Sequence, residues 1–183
     1  MPHLIETAPT ARSKCRGCGN GIAQAELRFG ERLPNPFGGG EMTLWFHLRC
    51  AAYKRPEPFL EVLAATEIVI DEAAELLAHA TRGLEFRRLP RIDGVELTQS
   101  ARARCRCCHE PMVKGDWRIP LVFFEEGLFN RRGFIHARCA PAYFETFELL
   151  DRLQHFNPEL TPDDLEALRH VLASAPRNAP LNR

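Results

Sequence analysis

The feature that most constrains this chain is a spaced set of sulfur and imidazole side chains that occurs twice. Cys15-Arg16-Gly17-Cys18 sets two thiols two residues apart, and His47-Leu48-Arg49-Cys50 adds an imidazole and a third thiol, giving C-x2-C-x28-H-x2-C. Cys105-Arg106-Cys107-Cys108 and His136-Ala137-Arg138-Cys139 repeat the pattern as C-x2-C-x27-H-x2-C. A lone C-x-x-C says little. Two full sets whose first cysteines stand ninety residues apart (105 minus 15) predict two four-ligand sites for Zn2+. The ligands expected are Cys15, Cys18, His47 and Cys50, and Cys105, Cys108, His136 and Cys139. Four protein ligands leave no coordination position for water or substrate, so both zinc ions are expected to be structural. Of the seven cysteines, Cys107 is left over. A C-x-C bite is strained and the first set has Gly17 at that place, so Cys107 reads as a bystander and His109 as a surface residue.

The repeat sets the organisation expected of the 183 residues: a first zinc-binding domain over 1–83, a linker over 84–93, a second domain over 94–175 and a flexible tail over 176–183. A unit of that size buries a modest core, which a metal at its centre reinforces. Thiols matched to histidines suit a reducing, intracellular compartment (cytoplasm or nucleoid, or nucleus) better than a disulfide framework. Met1–Glu6 lacks the basic and apolar stretches of an export signal. No apolar run approaches spanning length, so no membrane association is expected.

The formal net charge is zero, but the charges are segregated. Residues 1–55 carry 8 basic and 4 acidic groups, a net of +4; residues 56–90 carry 3 and 7, a net of −4. Residues 91–140 carry 9 and 6, a net of +3; residues 141–183 carry 4 and 7, a net of −3. Each ligand-bearing segment is therefore basic and each following segment acidic. Most of the cations are arginines, whose planar guanidinium suits phosphate. For Lys14, Arg16 and Arg104, a solvated charge explains the residue as well as a phosphate contact does.

Taken in order, Leu4-Ile5-Glu6 reads as a strand. Glu26–Leu33 and Asp116–Phe124 read as strands that each begin acidic–apolar–Arg. Loops over Pro34–Glu41 and Glu125–Arg132 lead to returning strands, Met42–Phe46 and Gly133–Ile135, which end on the histidines. His47 with Cys50, and His136 with Cys139, share one face of a first helical turn. Pro56 and Pro58 are expected to end the first of these helices. A closing helix is expected in each unit. In the first, Asp71 is the cap, Leu76 and Leu77 face the core and Gly83 ends the helix. In the second, Thr161 caps, Pro162 opens the first turn, and Leu165, Leu168, Val171 and Leu172 form the buried stripe. The fold class expected is α+β: two small tandem domains, each a short antiparallel sheet plus helices around one zinc.

These residues resemble the poly(ADP-ribose) polymerase-type zinc finger, with its extended V-E-x-A-x-[ST]-[GA]-R-x-x-C-x-x-C lead-in, L-R strand start and W-x-H-x-x-C close. The first unit supplies Ile5-Glu6, Ala8, Thr10, Arg12, Cys15, Cys18, Leu27-Arg28, Trp45, His47 and Cys50. The second supplies Val95-Glu96, Ser100, Arg102, Cys105, Cys108, Trp117-Arg118, His136 and Cys139. The resemblance covers about nine-tenths of the chain. It implies recognition of DNA strand breaks, with Arg12, Arg28, Arg102 and Arg118 on backbone phosphates. Phe37 and Met42 in the first unit, and Leu128 and Phe129 in the second, would stack on bases exposed at the break. The second unit departs from the pattern with Phe134 in place of Trp45 and Arg131 in place of Met42. Trp45 and Trp117, beside the metal, are expected to pack rather than touch bases.

The function expected is therefore a non-enzymatic reader of nicks, gaps and ends, largely independent of sequence, with a repair enzyme as partner and no small-molecule substrate. The repeats consume nearly all of the chain, and no nucleotide-binding glycine loop, Ser-His-Asp order or catalytic carboxylate pair is evident. The alternative class is a zinc-stabilised protein-interaction adaptor. Such adaptors of the LIM and RING types interleave eight ligands at shorter gaps.

Overall fold

The computed structural model describes residues 3–36 and 38–174. Phe37 and the expected tail over 176–183 lie outside the described residues. The chain divides into two compact units, residues 1–90 together with 125–128, and residues 91–124 together with 129–183. The architecture is α+β, with two three-stranded antiparallel sheets and six α-helices among the described residues.

In the first unit, β1 (Leu4–Thr7), β2 (Leu27–Pro34) and β3 (Glu41–His47) pair in that order. The register sets Ile5 opposite Phe29 and Phe29 opposite Phe46. Residues opposite one another in a ladder share a face, and this face is buried throughout: Ile5, Phe29 and Phe46 are almost wholly removed from water. Helices α1 (Leu48–Lys54), α2 (Pro56–Ala65) and α3 (Ala73–Glu85) follow. Phe59 of α2 meets Phe29 edge-on, with ring centroids 5.6 Å apart. Full burial of one such ring stabilises the unit by about 1.5–3 kcal/mol. The same sheet face carries Glu31, 1% exposed, which Arg55 holds through Nε at 2.8 Å and Nη2 at 2.5 Å.

Helix α1 ends before Pro56 as expected, and three other expectations for these helices are corrected. Pro56 follows the end of α1 but also opens α2, at a position where its missing N–H breaks no helical bond. The residue before α3 is Glu72, not Asp71, and no side chain caps this helix. Leu76 is buried but Leu77 is 50% exposed. Successive helical residues point about 100° apart, so a narrow contact takes one of two adjacent leucines. Gly83 is buried inside α3, which runs on to Glu85.

In the second unit, β4 (Glu96–Leu97), β5 (Trp117–Glu125) and β6 (Leu128–His136) form the sheet. The loop expected over Glu125–Arg132 is instead a two-residue turn. Glu126 (φ 50) and Gly127 (φ 79) are both left-handed, as a tight hairpin turn of primed type requires, and β6 begins at once at Leu128. A 3-10 turn over Ala137–Cys139 precedes α4 (Ala140–Phe144), α5 (Leu150–Phe156) and α6 (Pro162–Ala173). Ile119, Leu121, Ile135, Phe144, Leu149 and Leu153 form the core. Thr161 caps α6 in a reciprocal box. Its Oγ1 accepts from the Asp164 N–H at 3.1 Å, and Asp164 Oδ2 accepts from the Thr161 N–H at 3.0 Å. Leu168 and Leu172 are buried, while Leu165 and Val171 are half-buried.

Residues 84–93, expected as a linker, hold the end of α3 and a 3-10 turn over Leu89–Arg91, and both Leu89 and Ile92 are buried. Among the described residues no helix is long and apolar enough to cross a membrane.

Candidate metal centres and nucleic-acid surface

Each unit brings its four clustered Cys and His residues together by the same local construction. In the first unit the Cys15 N–H donates to the Asn20 carbonyl and the Gly19 N–H to the Cys15 carbonyl, both at 2.8 Å, which closes the C-x-x-C turn. The Arg16 N–H donates to the Trp45 carbonyl, tying that turn to β3 two residues before His47. In the second unit Cys105 bonds to Glu110, His109 to Cys105 and Arg106 to Phe134, each at 2.9 Å. The backbone thus brings the cysteine turn beside the strand end that carries the histidine. The helical turn starting there supplies the third thiol.

The ligand atoms of Cys15, Cys18, His47 and Cys50 lie within 4.8 Å of one another, as do those of Cys105, Cys108, His136 and Cys139. His47 Nδ1 stands 3.4 Å from Cys18 Sγ and 3.8 Å from Cys50 Sγ. His136 Nδ1 stands 3.4 Å from Cys108 Sγ and 3.9 Å from Cys139 Sγ. A tetrahedral zinc with ordinary bond lengths sets sulfur and nitrogen about 3.6 Å apart. The other ring nitrogen is fixed in both histidines. His47 Nε2 lies 3.2 Å from the Gly21 carbonyl, and His136 Nε2 lies 3.1 Å from the Pro111 carbonyl. A carbonyl can only accept, so Nε2 carries the proton and Nδ1 presents its lone pair to the ion. The His47 and His136 backbone N–H groups donate to Cys15 Sγ and Cys105 Sγ, both at 3.4 Å. Both clusters therefore fit a four-coordinate soft cation.

The electrostatics agree. Crowded sulfurs share protons unequally: hydrogen bonds from Cys15 and Cys50 push the Cys18 thiol far down, while Cys50 is pushed up by its bonds to Cys15 and Cys18 and by burial. The Cys139 bond holds Cys105 down at about 4, and Cys139 is pushed up in return. Beside the Cys15 and Cys18 sulfurs, His47 is raised to about 11. A metal ion bound here would displace these protons, since it takes thiolates and a neutral imidazole as ligands.

The arginines expected on phosphate fall into two groups. Arg12 and Arg102, in the lead-ins, are exposed. Arg28 is buried: Nε and Nη2 donate to Glu6 Oε1 at 3.0 and 2.5 Å, and Nη1 donates to Ser13 Oγ at 2.7 Å. Its guanidinium lies 3.6 Å from the centre of the Trp45 ring. Arg118 repeats this with Glu96 Oε1 at 2.9 and 2.6 Å, and stands 3.9 Å over the Phe134 ring. Phe134 thus gives Arg118 the aromatic platform that Trp45 gives Arg28. The glutamates were visible in the sequence, but their pairing needed the strand register, which sets Glu6 opposite Arg28 and Glu96 opposite Arg118.

Of the side chains expected on bases, Met42 is half-buried opposite Leu33 at the far end of the β2–β3 hairpin, and Leu128, 41% exposed, opens β6. Phe129 is half-buried, with its ring 4.8 Å from that of Phe124. Arg131, which replaces the methionine in the second unit, is held by Asp93 Oδ2 at 2.6 Å. Cys107 is half-buried and its N–H donates to Cys105 Sγ at 3.4 Å; His109 is exposed.

A fold with two such clusters defines a class: a paired-hairpin chain with two Cys3His centres able to hold metal ions. No family model matches the chain. It is similar to poly(ADP-ribose) polymerase of Drosophila melanogaster, 26% identical over 140 residues that cover 68% of this chain and 14% of that protein. The corresponding polymerase of Sarcophaga peregrina is 25% identical over 160 residues, 76% of this chain and 16% of that one. A polynucleotide 3'-phosphatase of Arabidopsis thaliana is 23% identical over 192 residues, 91% of this chain and 28% of that protein. The chain spans 14–28% of the length of these relatives.

Proposed function

We propose that the chain is a pair of poly(ADP-ribose) polymerase-type zinc fingers, without catalytic activity of its own, that binds DNA at strand breaks. The observation that carries the reading is the doubled Cys3His cluster with each histidine held in the same tautomer, beside an exposed lead-in arginine in each unit. Similarity to polymerases and to a polynucleotide phosphatase supports a role in DNA-break processing. Zinc in both centres holds the cysteine turn, the hairpin and the following helix together, and does no chemistry.

In this reading Arg12 and Arg102 meet phosphate first. Arg28 and Arg118 take a phosphate only where it displaces or shares Glu6 and Glu96, so they serve chiefly to stiffen the strand that carries the histidine. Met42 and Leu128 offer apolar surface to a terminal base pair, which intact duplex keeps stacked, and Phe37, outside the described residues, and Phe129 are the other side chains assigned to stacking. An interrupted backbone also bends at lower cost than a continuous one. The test is binding of zinc-loaded protein to nicked, gapped, blunt-ended and intact duplexes of one sequence. A preference for breaks of about tenfold or more at physiological salt is expected. Equal affinity for nicked and intact DNA would overturn the reading.

A further inference from the structure

Helix α3 and helix α6 close the two units, and they turn different faces to solvent. Each buries one stripe: Leu76 and Ala80 in α3, Leu168 and Leu172 in α6. With these stripes aligned, Ala74, Leu77 and Ala78 of α3 correspond to Glu166, Arg169 and His170 of α6, a constant offset of 92. The outer face of α6 is an ordinary solvated one, where Arg169 and His170 both pair with Glu166, at 2.5 and 3.1 Å. The outer face of α3 instead runs Ala74, Leu77, Thr81, Leu84, and all four are exposed. Their spacing of three, four, three is the rhythm with which one helix packs on another. Leu77 is 50% and Leu84 42% exposed, and Val69, in the loop leading into α3, is 86% exposed. Single exposed leucines are unremarked on protein surfaces. A periodic pair on a helix whose other face already fills a core is a second packing face.

The surrounding charge says what would cover it. The 56–90 segment carries seven acidic and three basic groups, a net of −4: Glu67, Asp71, Glu72 and Glu85 are exposed around α3, with Glu72 and Glu75 sharing Arg49, while Arg87 is exposed at the Leu84 end. Two copies of this face would meet with like charges opposed. A helix with leucines along one side and lysines or arginines beside them would meet it with both terms favourable. We infer that the outward face of α3 is the docking site for a basic amphipathic helix of a partner protein. The 13 residues of α3 span about 20 Å, room for two heptads of the partner. The face contains none of the eight clustered Cys and His residues and does not rest on the DNA reading.

The probe is a labelled three-heptad peptide with leucine at a and d and lysine at e and g, set against the same peptide with glutamate at e and g. Fluorescence anisotropy with the full zinc-loaded chain should show the lysine peptide binding at least about tenfold more tightly than the glutamate peptide, with the margin shrinking as salt rises. Leu77→Glu combined with Leu84→Glu should weaken the lysine peptide about tenfold or more, with zinc content unchanged, and Arg169→Ala on α6 should change nothing. If the double variant loses zinc, Leu77→Ser supplies the same comparison with a milder change. Equal binding of the two peptides, binding indifferent to the leucine variants, or no binding of either would overturn the proposal. So would a dimer in sedimentation that Leu77→Glu dissociates, since the occupant would then be a second copy.

Discussion

The two units are a controlled comparison within one chain. Their metal geometry is almost superposable: the two nitrogen–sulfur pairs are 3.4 and 3.8 Å in the first, 3.4 and 3.9 Å in the second. The arginine–glutamate–aromatic stack is also kept, although tryptophan has become phenylalanine. The hairpin tip differs, being a broad loop through Gly38–Gly40 in one and the two-residue turn Glu126-Gly127 in the other. So does the element carrying the last ligand, a seven-residue helix in one and a 3-10 turn before a short helix in the other. What is held constant is the arrangement of the four ligand atoms and the arginine stack beside it; what varies is the hairpin tip and the buried helical turn behind the last ligand.

The largest effect should come from the metal. Structural zinc in small domains supplies about 10–16 kcal/mol of apparent binding free energy at neutral pH, which under the proposed function would be folding free energy in these units. Chelation should therefore unfold both units. Cys15→Ala should leave one zinc per chain and a folded second unit, and Cys105→Ala the reverse, read by native mass spectrometry together with amide spectra of each unit. Loss of both zincs from either variant would show that the units are not independent. A wild-type chain carrying fewer than two ions would remove the symmetry altogether.

Next come Gly17 and Cys107, the one place inside the C-x-x-C turns where the units differ. A Cβ on Gly17 would stand 2.9 Å from Cys50 Cβ, an atom held close to the helix backbone. The second unit accommodates a full cysteine there, with its third ligand on a 3-10 turn. Gly17→Cys should cost the first unit about 1–3 kcal/mol, as overpacking does. Cys107→Gly should cost the second unit less. Thermal unfolding of each unit, followed by its own amide signals, checks the asymmetry; equal costs would show that the turns are closer in shape than Cys50 and Cys139 suggest.

The pattern of what could be read in advance follows the same division. The two Cys3His clusters and the strands leading to them were legible because metal coordination admits few residue types at fixed spacing. The helices were less so. Leu77 looked like core because adjacent leucines are ambiguous without knowing which direction the core lies. Gly83 looked like a helix end because glycine often is one, yet here its burial inside α3 suits a packing position. The loop over Glu125–Arg132 looked long because its polar residues conceal a two-residue turn. Arg28 looked like a phosphate ligand by position, and its engagement by Glu6, Ser13 and Trp45 needed the register of three strands.

The lead-in arginines sharpen the comparison on the DNA side. Arg12 and Arg102 are both exposed. Under the proposed function each should weaken binding to all sequences alike when changed to alanine, and flatten the log–log salt slope by about one. Arg28→Ala should act differently, because it leaves Glu6 without its partner: a loss of stability should accompany any loss of affinity. A salt slope unchanged in Arg12→Ala but reduced in Arg102→Ala would assign DNA contact to one unit only.

The smallest effect concerns the two closing helices. Helix α6 has a complete capping box and α3 has no side-chain cap at all. Thr161→Ala removes the hydroxyl that accepts from the Asp164 N–H, and should cost the second unit about 1 kcal/mol. The companion change, Glu72→Ser at the start of α3, should gain less, because Glu72 also receives a bond from Arg49 at 2.8 Å that would be lost. The cap carries a pH signature. Bonds from Thr161 hold the Asp164 carboxyl below its ordinary range. A carboxyl with a depressed folded pKa adds stability that is fully present above its unfolded pKa and disappears as pH falls through the folded value. The stability difference between wild type and Thr161→Ala should therefore be flat near neutrality and shrink on acidification below the ordinary aspartate range. That window lies where the metal ligands also take up protons, so the comparison needs melting of the isolated Thr161–Ala173 peptide by circular dichroism, where no metal intervenes. A peptide difference that grows as pH falls would mean that the hydroxyl, and not the carboxylate, sets the cap.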